Sequence, residues 1–190
     1  RRIVPAGSMW GYHIAGIWQD VYLLALPKVH VEDVYVKPLV SKNMLELEVT
    51  VQNNTEKKVD LQIQGKINEW VNLAGTDINS APVPAWKLGQ EALKVAPVKV
   101  AIPANASSKV VLQVPVSGEL NYWTPEQPNL YAVLLSLQAK KEILDMKYER
   151  FGWREWTLQG TTQYLNGKPY QLRGDSWHFM GIPQMTRRYA

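Results

Sequence analysis

Leu45-Glu46-Leu47-Glu48-Val49-Thr50-Val51-Gln52 alternates strictly, with Leu45, Leu47, Val49 and Val51 on one side of an extended chain and Glu46, Glu48, Thr50 and Gln52 on the other. This is the pattern of a half-buried β-strand. The same period recurs in Val59, Leu61 and Ile63 against Asp60, Gln62 and Gln64, and Asn53-Asn54-Thr55-Glu56 supplies turn residues between the two runs. The two runs are therefore expected to pair antiparallel. Working outward, further strands are predicted at His30 to Leu39, Val98 to Ile102, Val110 to Val116, Leu130 to Gln138 and Glu142 to Phe151, several bounded by Pro, Asn, Gly or Ser. Only Leu88 to Val95 looks helical, and it is short and carries Gly89. About seven strands without long helical periodicity predict an all-β, immunoglobulin-like β-sandwich.

The composition fits such a domain: 46% of the 190 residues are hydrophobic and 20% charged, with room for one full domain and additional material. The net charge of +4 arises from 21 basic and 17 acidic residues interspersed along the chain, with Lys140-Lys141 and Arg187-Arg188 as isolated pairs. No basic stripe exists to read nucleic acid. The absence of cysteine excludes disulfides, thiolate metal sites and cysteine nucleophiles but leaves the compartment open, with periplasm or secretion favoured over cytoplasm. No run approaches the roughly 18 apolar residues of a membrane span, and Arg1-Arg2-Ile3-Val4-Pro5 has no signal-peptide character. His13, His30 and His178 are far apart, and no phosphate-cradling glycine motif occurs, so neither a metal nor any other cofactor is expected.

The flanks read differently from the middle. Trp18 to Leu26 is expected to be a strand ending at Pro27, and Thr161 to Gly174 a hairpin whose Asn166-Gly167 suits a type I′ turn. A single strand and a lone hairpin cannot bury their apolar faces unaided, so the chain is expected to be part of something larger.

Four motifs stand in order along the chain: Gly16-Ile17-Trp18-Gln19-Asp20-Val21-Tyr22-Leu23, Pro27-Lys28-Val29-His30-Val31-Glu32-Asp33-Val34, Trp123-Thr124-Pro125-Glu126-Gln127-Pro128-Asn129-Leu130-Tyr131, and Arg150-Phe151-Gly152-Trp153. Together they resemble the family 2 glycoside hydrolases, the β-galactosidases, β-glucuronidases and β-mannosidases. Gln19 stands where that family usually has Arg. The resemblance implies the tail of a jelly-roll sugar-binding domain over residues 1–26, an immunoglobulin-like sandwich over 27–153, and a linker hairpin with the first strand of a (β/α)₈ barrel over 154–190. It also implies a retaining exo-β-glycosidase, β-galactosidase-like, whose partners are a β-glycoside, the remaining domains and, in an oligomer, further copies.

Retaining catalysis needs two carboxyl groups roughly 5–5.5 Å apart, one as acid/base and one as nucleophile. In the resembling family both are glutamates on late barrel strands, which are expected beyond Ala190. No residue of this chain is therefore assigned a catalytic role, and the 190 residues alone are expected to be inactive. Asn68-Glu69 matches the family's Asn before its acid/base but precedes the barrel, and Gly174-Asp175-Ser176 lacks the Gly-x-Ser-x-Gly elbow of a nucleophilic serine. Asp175, Trp177 and His178 are the substrate-side candidates, because the C-terminal ends of barrel strands face the active site, with packing at the barrel mouth as the competing reading. Trp177 stands where the family usually has Arg.

The alternative function is a stand-alone carbohydrate-binding or structural module. Eight tryptophans could stack on sugar rings, although Trp123, Trp153 and Trp156 fall within or beside the motifs and read better as packing at a seam. Asn53-Asn54-Thr55 and Asn105-Ala106-Ser107 match the glycosylation sequon.

Overall fold

The computed structural model describes residues 21–74, 82, 84–140 and 142–174. The chain divides into two compact units, Leu26–Tyr170 and a smaller one built from residues 1–25 and 171–190. In the larger unit seven strands form two antiparallel sheets. β1 (Val29–Leu39), β2 (Met44–Asn53) and β5 (Ala106–Pro115) make the first sheet, in the order β1-β2-β5. β3 (Val59–Asn72), β4 (Trp86–Ile102), β6 (Tyr131–Ala139) and β7 (Glu142–Phe151) make the second, in the order β4-β3-β6-β7. The expected all-β sandwich is present, with the fourth strand placed beside the third rather than on the three-stranded sheet.

β2 shows how alternation builds the core: Leu45, Leu47, Val49 and Val51 are fully buried, whereas Glu46, Glu48, Thr50 and Gln52 are half-buried on the outer face. Leu61, Ile63 and Ile67 of β3, Val133, Leu135 and Leu137 of β6, and Leu112 and Val114 of β5 complete the layer between the sheets. The expected β2–β3 pair does not form. β2 pairs with β1 and β5, β3 with β4 and β6, and the Asn53-Asn54-Thr55-Glu56 segment carries the chain from one sheet to the other. The two apolar faces were legible; they meet across the sandwich rather than side by side.

That crossing is pinned by Asn53, a fully buried polar side chain. Its Nδ2 donates to the carbonyls of Lys57 (2.9 Å), Pro103 (2.8 Å) and Ile102 (3.3 Å), while its Oδ1 accepts from the backbone N–H (3.0 Å) and hydroxyl (2.7 Å) of Thr55. This use of both ends satisfies a group that would be costly to bury unpaired. It also leaves no free amide for a glycan at the first sequon.

β4 runs for 17 residues, from Trp86, and absorbs the Leu88 to Val95 segment that resembled a helix. Register shifts against β3 at Ile63/Gly65, Ile67/Asn68 and Asn68/Trp70 break the period of two and account for the misleading pattern. Pro97 is tolerated mid-strand because β4 is a sheet edge. Gly65, at one of these shifts, lies so close to β6 that an added Cβ would overlap the Leu134 carbonyl oxygen and come within 2.9 Å of Leu135 Cδ2.

The flank of the sandwich is closed by side chains rather than a ladder. A bulge in β1 between Val31 and Asp33 frees the Val31 N–H, which donates to Asp145 Oδ2 of β7 at 2.8 Å, and Lys147 of β7 donates to the Glu32 carbonyl.

After β7, the chain forms a small three-stranded sheet of β8 (Trp156–Gln159), β9 (Thr162–Leu165) and β10 (Lys168–Pro169). Asn166 and Gly167 between β9 and β10 have φ of 52° and 75°, the positive pair that a type I′ turn demands. Val21 to Leu26 carries no strand, contrary to expectation, and its residues are exposed. No described ladder includes this segment, and a strand exists only through the neighbour that takes up its backbone hydrogen bonds. Among the described residues no helix is long and apolar enough to cross a membrane.

Candidate functional site

Two of the four motifs, Trp123 to Tyr131 and Arg150 to Trp153, converge on one joint, where the sandwich passes to the small sheet. Tyr131 opens β6, is 3% exposed, and its hydroxyl accepts the Asn121 N–H at 2.8 Å, tying the incoming loop to the strand as a tyrosine corner does. The loop is closed on itself: Trp123 bridges Pro128, Thr124 N–H donates to the Gln127 carbonyl (3.0 Å), and Asn129 Nδ2 donates to the Tyr122 carbonyl (2.9 Å). Pro125 and Pro128 suit such a turn because their φ is already fixed.

Trp123 is the centre of the joint. Its N–H donates to the Trp153 carbonyl at 2.9 Å, and the Arg154 guanidinium lies over its ring, 4.1 Å from the centroid. Gly152 passes beneath; a Cβ there would sit 3.0 Å from Trp123 Cβ and Cγ. The glycine of Arg150-Phe151-Gly152-Trp153 is thus needed for close approach. Phe151 and Trp153 on either side point into the core.

Asn166 and Glu155 lock the small sheet to this joint. Asn166 Oδ1 accepts from Glu155 N–H (2.9 Å), its Nδ2 donates to the Trp123 carbonyl (3.1 Å), and its own N–H donates to the Glu155 carbonyl (2.9 Å). The Glu155 carboxylate reaches across to Ser41, accepting from its N–H (2.7 Å) and hydroxyl (3.2 Å). Ser41 belongs to a 3₁₀ turn (Val40–Lys42) between β1 and β2, so one acid ties that turn to the segment between β7 and β8. Asn166→Ala should remove both side-chain bonds and strain the left-handed turn, costing roughly 1–3 kcal/mol. Hydrogen exchange should show faster exchange in β8–β10 with little change in β2 and β6; uniform acceleration throughout would contradict the local lock.

The tryptophans divide by role. Trp153 is 3% exposed. Trp70 and Trp86 stack on one another at 4.0 Å with Tyr148 beside them and Arg150 over Trp70, and Trp156 meets Tyr170 edge-on. Asn68-Glu69 lies within β3: Asn68 is buried and donates to the Gly89 carbonyl at 3.0 Å, and exposed Glu69 accepts from Gln90 N–H at 3.4 Å. This pair is a strand feature on the sandwich. Asp175, Trp177 and His178, the candidate substrate-side residues, lie outside the described residues. Among the described residues no group of three or more His, Asp or Glu is placed to hold a metal ion.

The described geometry is therefore that of a rigid joint. A family model of the glycosyl hydrolases family 2 matches residues 29–154, the whole sandwich and the first residues of the joint. The chain belongs to this family. Within the glycosyl hydrolases family 2, it is 27% identical over 168 residues to a β-galactosidase of Priestia megaterium, covering 88% of this chain and 15% of that protein. It is 26% identical over 179 residues to a β-galactosidase of Thermoanaerobacter pseudethanolicus, covering 93% of this chain and 21% of the relative. Its fold matches the crystal structure of a β-glucuronidase of Bacteroides uniformis with a TM-score of 0.66 and 25% identity, covering 97% of this chain and 22% of that one. The chain thus spans about a fifth or less of these family 2 relatives.

Proposed function

We propose that these residues are the non-catalytic middle section of a retaining exo-β-glycosidase, β-galactosidase-like, that hydrolyses terminal β-linked sugars. The observation that carries this reading is the family match over residues 29–154, which falls on the sandwich and its joint, in a chain that spans only 15% and 21% of the length of two β-galactosidases it resembles. In this reading residues 1–26 end a jelly-roll sugar-binding domain, 27–153 are the spacer sandwich, and 154–190 lead into a (β/α)₈ barrel. The barrel supplies the carboxylate pair that glycoside cleavage requires. Asp175, Trp177 and His178 then stand at the mouth of the first barrel strand, facing the sugar.

The Trp123–Arg154–Asn166–Glu155 lock suits this role, since a catalytic pocket assembled from several domains works only if its groups are held within about 0.5 Å and 10–20° of the productive geometry. The purified chain, confirmed by mass at 21.6 kDa, should show no turnover of 4-nitrophenyl β-galactoside or β-glucuronide above the protein-free rate. Turnover that co-purifies with the 21.6 kDa species would overturn the proposal.

A further inference from the structure

The two outer faces of the sandwich differ in charge pairing: the first pairs its lysines with acids across strands, whereas on the second the described ion pair is Lys58–Asp60, at the start of β3. On the β1–β2–β5 face, Lys37 is paired with Glu48 and Glu46, and Lys109 with Glu48. Lys109 and Lys37 hold the Glu48 carboxyl below its ordinary value, and Glu48 raises Lys37 above its own. On the β4–β3–β6–β7 face, Lys66 stands directly opposite Lys94 in the β3–β4 register. Both are exposed, and among the described ion pairs neither has an acidic partner. Like charges placed opposite one another on a sheet destabilise it, so the pair is not explained by the fold.

These two lysines edge a groove of about 650 Å³ whose apolar lining includes Leu134, Pro97 and Met146, the last 64% exposed, with Glu91 as its single carboxylate. Along β7 the same face continues from Met146 through exposed Tyr148 to Arg150, which lies over Trp70 and has no ion pair among those described. Arg, Tyr, Trp and Met gathered on one surface are the residues that dominate protein interfaces.

We propose that this face docks an acidic peptide segment bearing apolar side chains, contributed from outside these 190 residues. Carboxylates of the segment would answer Lys66, Lys94 and Arg150, while its apolar side chains cover Leu134 and Met146. A second copy of the chain is disfavoured by charge, because the protein carries +4 and this face is itself cationic.

The test is fluorescence anisotropy with a labelled decapeptide alternating Glu and Leu, and a Lys–Leu decapeptide as control. Saturable binding of the Glu peptide is expected, weakening as salt rises and at least tenfold weaker for the Lys66→Gln/Lys94→Gln variant, with the Lys peptide not bound. Amide shift changes on titration should fall on β3, β4 and β6. Equal binding of both peptides, no binding of either, unchanged affinity in the variant, or shifts confined to β1, β2 and β5 would each overturn the proposal. So would concentration-dependent dimerisation abolished by the same variant, which would assign the face to a second copy. None of these readouts depends on glycosidase activity.

Discussion

Gly65→Ala is expected to destabilise the sandwich by roughly 2–4 kcal/mol, a large share of a typical domain's stability. The added methyl would collide with the Leu134 carbonyl oxygen, a backbone atom on the neighbouring strand that cannot swing aside as a side-chain end would, and with Leu135 Cδ2 at 2.9 Å. Relief requires β3 and β6 to separate, and both are central strands of the four-stranded sheet. The inward residues on either side, Ile63 and Leu135, would lose their close packing together. Urea unfolding should show the midpoint falling with little change in slope; an unchanged midpoint would mean that the two strands can part at no cost.

The second large effect belongs to Asn53. Replacing it by alanine deprives the carbonyls of Lys57, Ile102 and Pro103 of their shared donor and the Thr55 N–H of its acceptor, around a side chain that is itself fully buried. A loss of about 3–4 kcal/mol is expected, because buried polar groups left unpaired carry their full desolvation penalty. Asn53→Asp discriminates this account from simple packing. It keeps the volume and the acceptor toward Thr55 but turns an oxygen toward three carbonyls. Burial beside those carbonyls disfavours the charged acid, so its folded-state pKa lies above the unfolded one. The variant should therefore recover stability relative to the parent as pH falls from the raised folded-state pKa to the ordinary carboxylate value, with no further gain below it, as the acid regains a proton to donate. Thermal melts of both proteins across that range would show the gap narrowing; a constant gap would argue against the hydrogen-bond reading.

The strands of this fold were legible where one face alone is buried, as in Leu45 to Val51, because alternation reports burial directly. What alternation cannot report is the partner. Leu45 and Leu61 both point inward, and nothing in their spacing says whether they are neighbours in one sheet or opposed across two. The first half of β4 was obscured by the two register shifts opposite it, at Ile67/Asn68 and Asn68/Trp70, which displace the polar positions Lys87, Gln90 and Glu91 from a regular period. Asn166-Gly167 was readable because a turn with two positive φ angles is a local demand. The Glu155–Ser41 contact was not, since its partners stand 114 residues apart and neither is unusual in its own surroundings. The family motifs marked the Trp123 and Trp153 joint correctly but were silent on why glycine sits between Phe151 and Trp153, which only the indole lying against its backbone explains. The candidate substrate-side residues Asp175, Trp177 and His178 fall outside the described residues and rest on the resemblance alone.

The Asp145 and Lys147 contacts carry a mechanical consequence. Val31 meets Asp145 and Glu32 meets Lys147, so contacts advance along β1 and β7 in the same direction, and the first and last strands of the sandwich run parallel where they touch. The chain therefore enters the sandwich at one end and leaves it at the other. Tension applied through the two ends would slide β1 along β7 and load these contacts together, instead of peeling them one by one. Stretching along the length of the sandwich is therefore resisted by contacts that share the load.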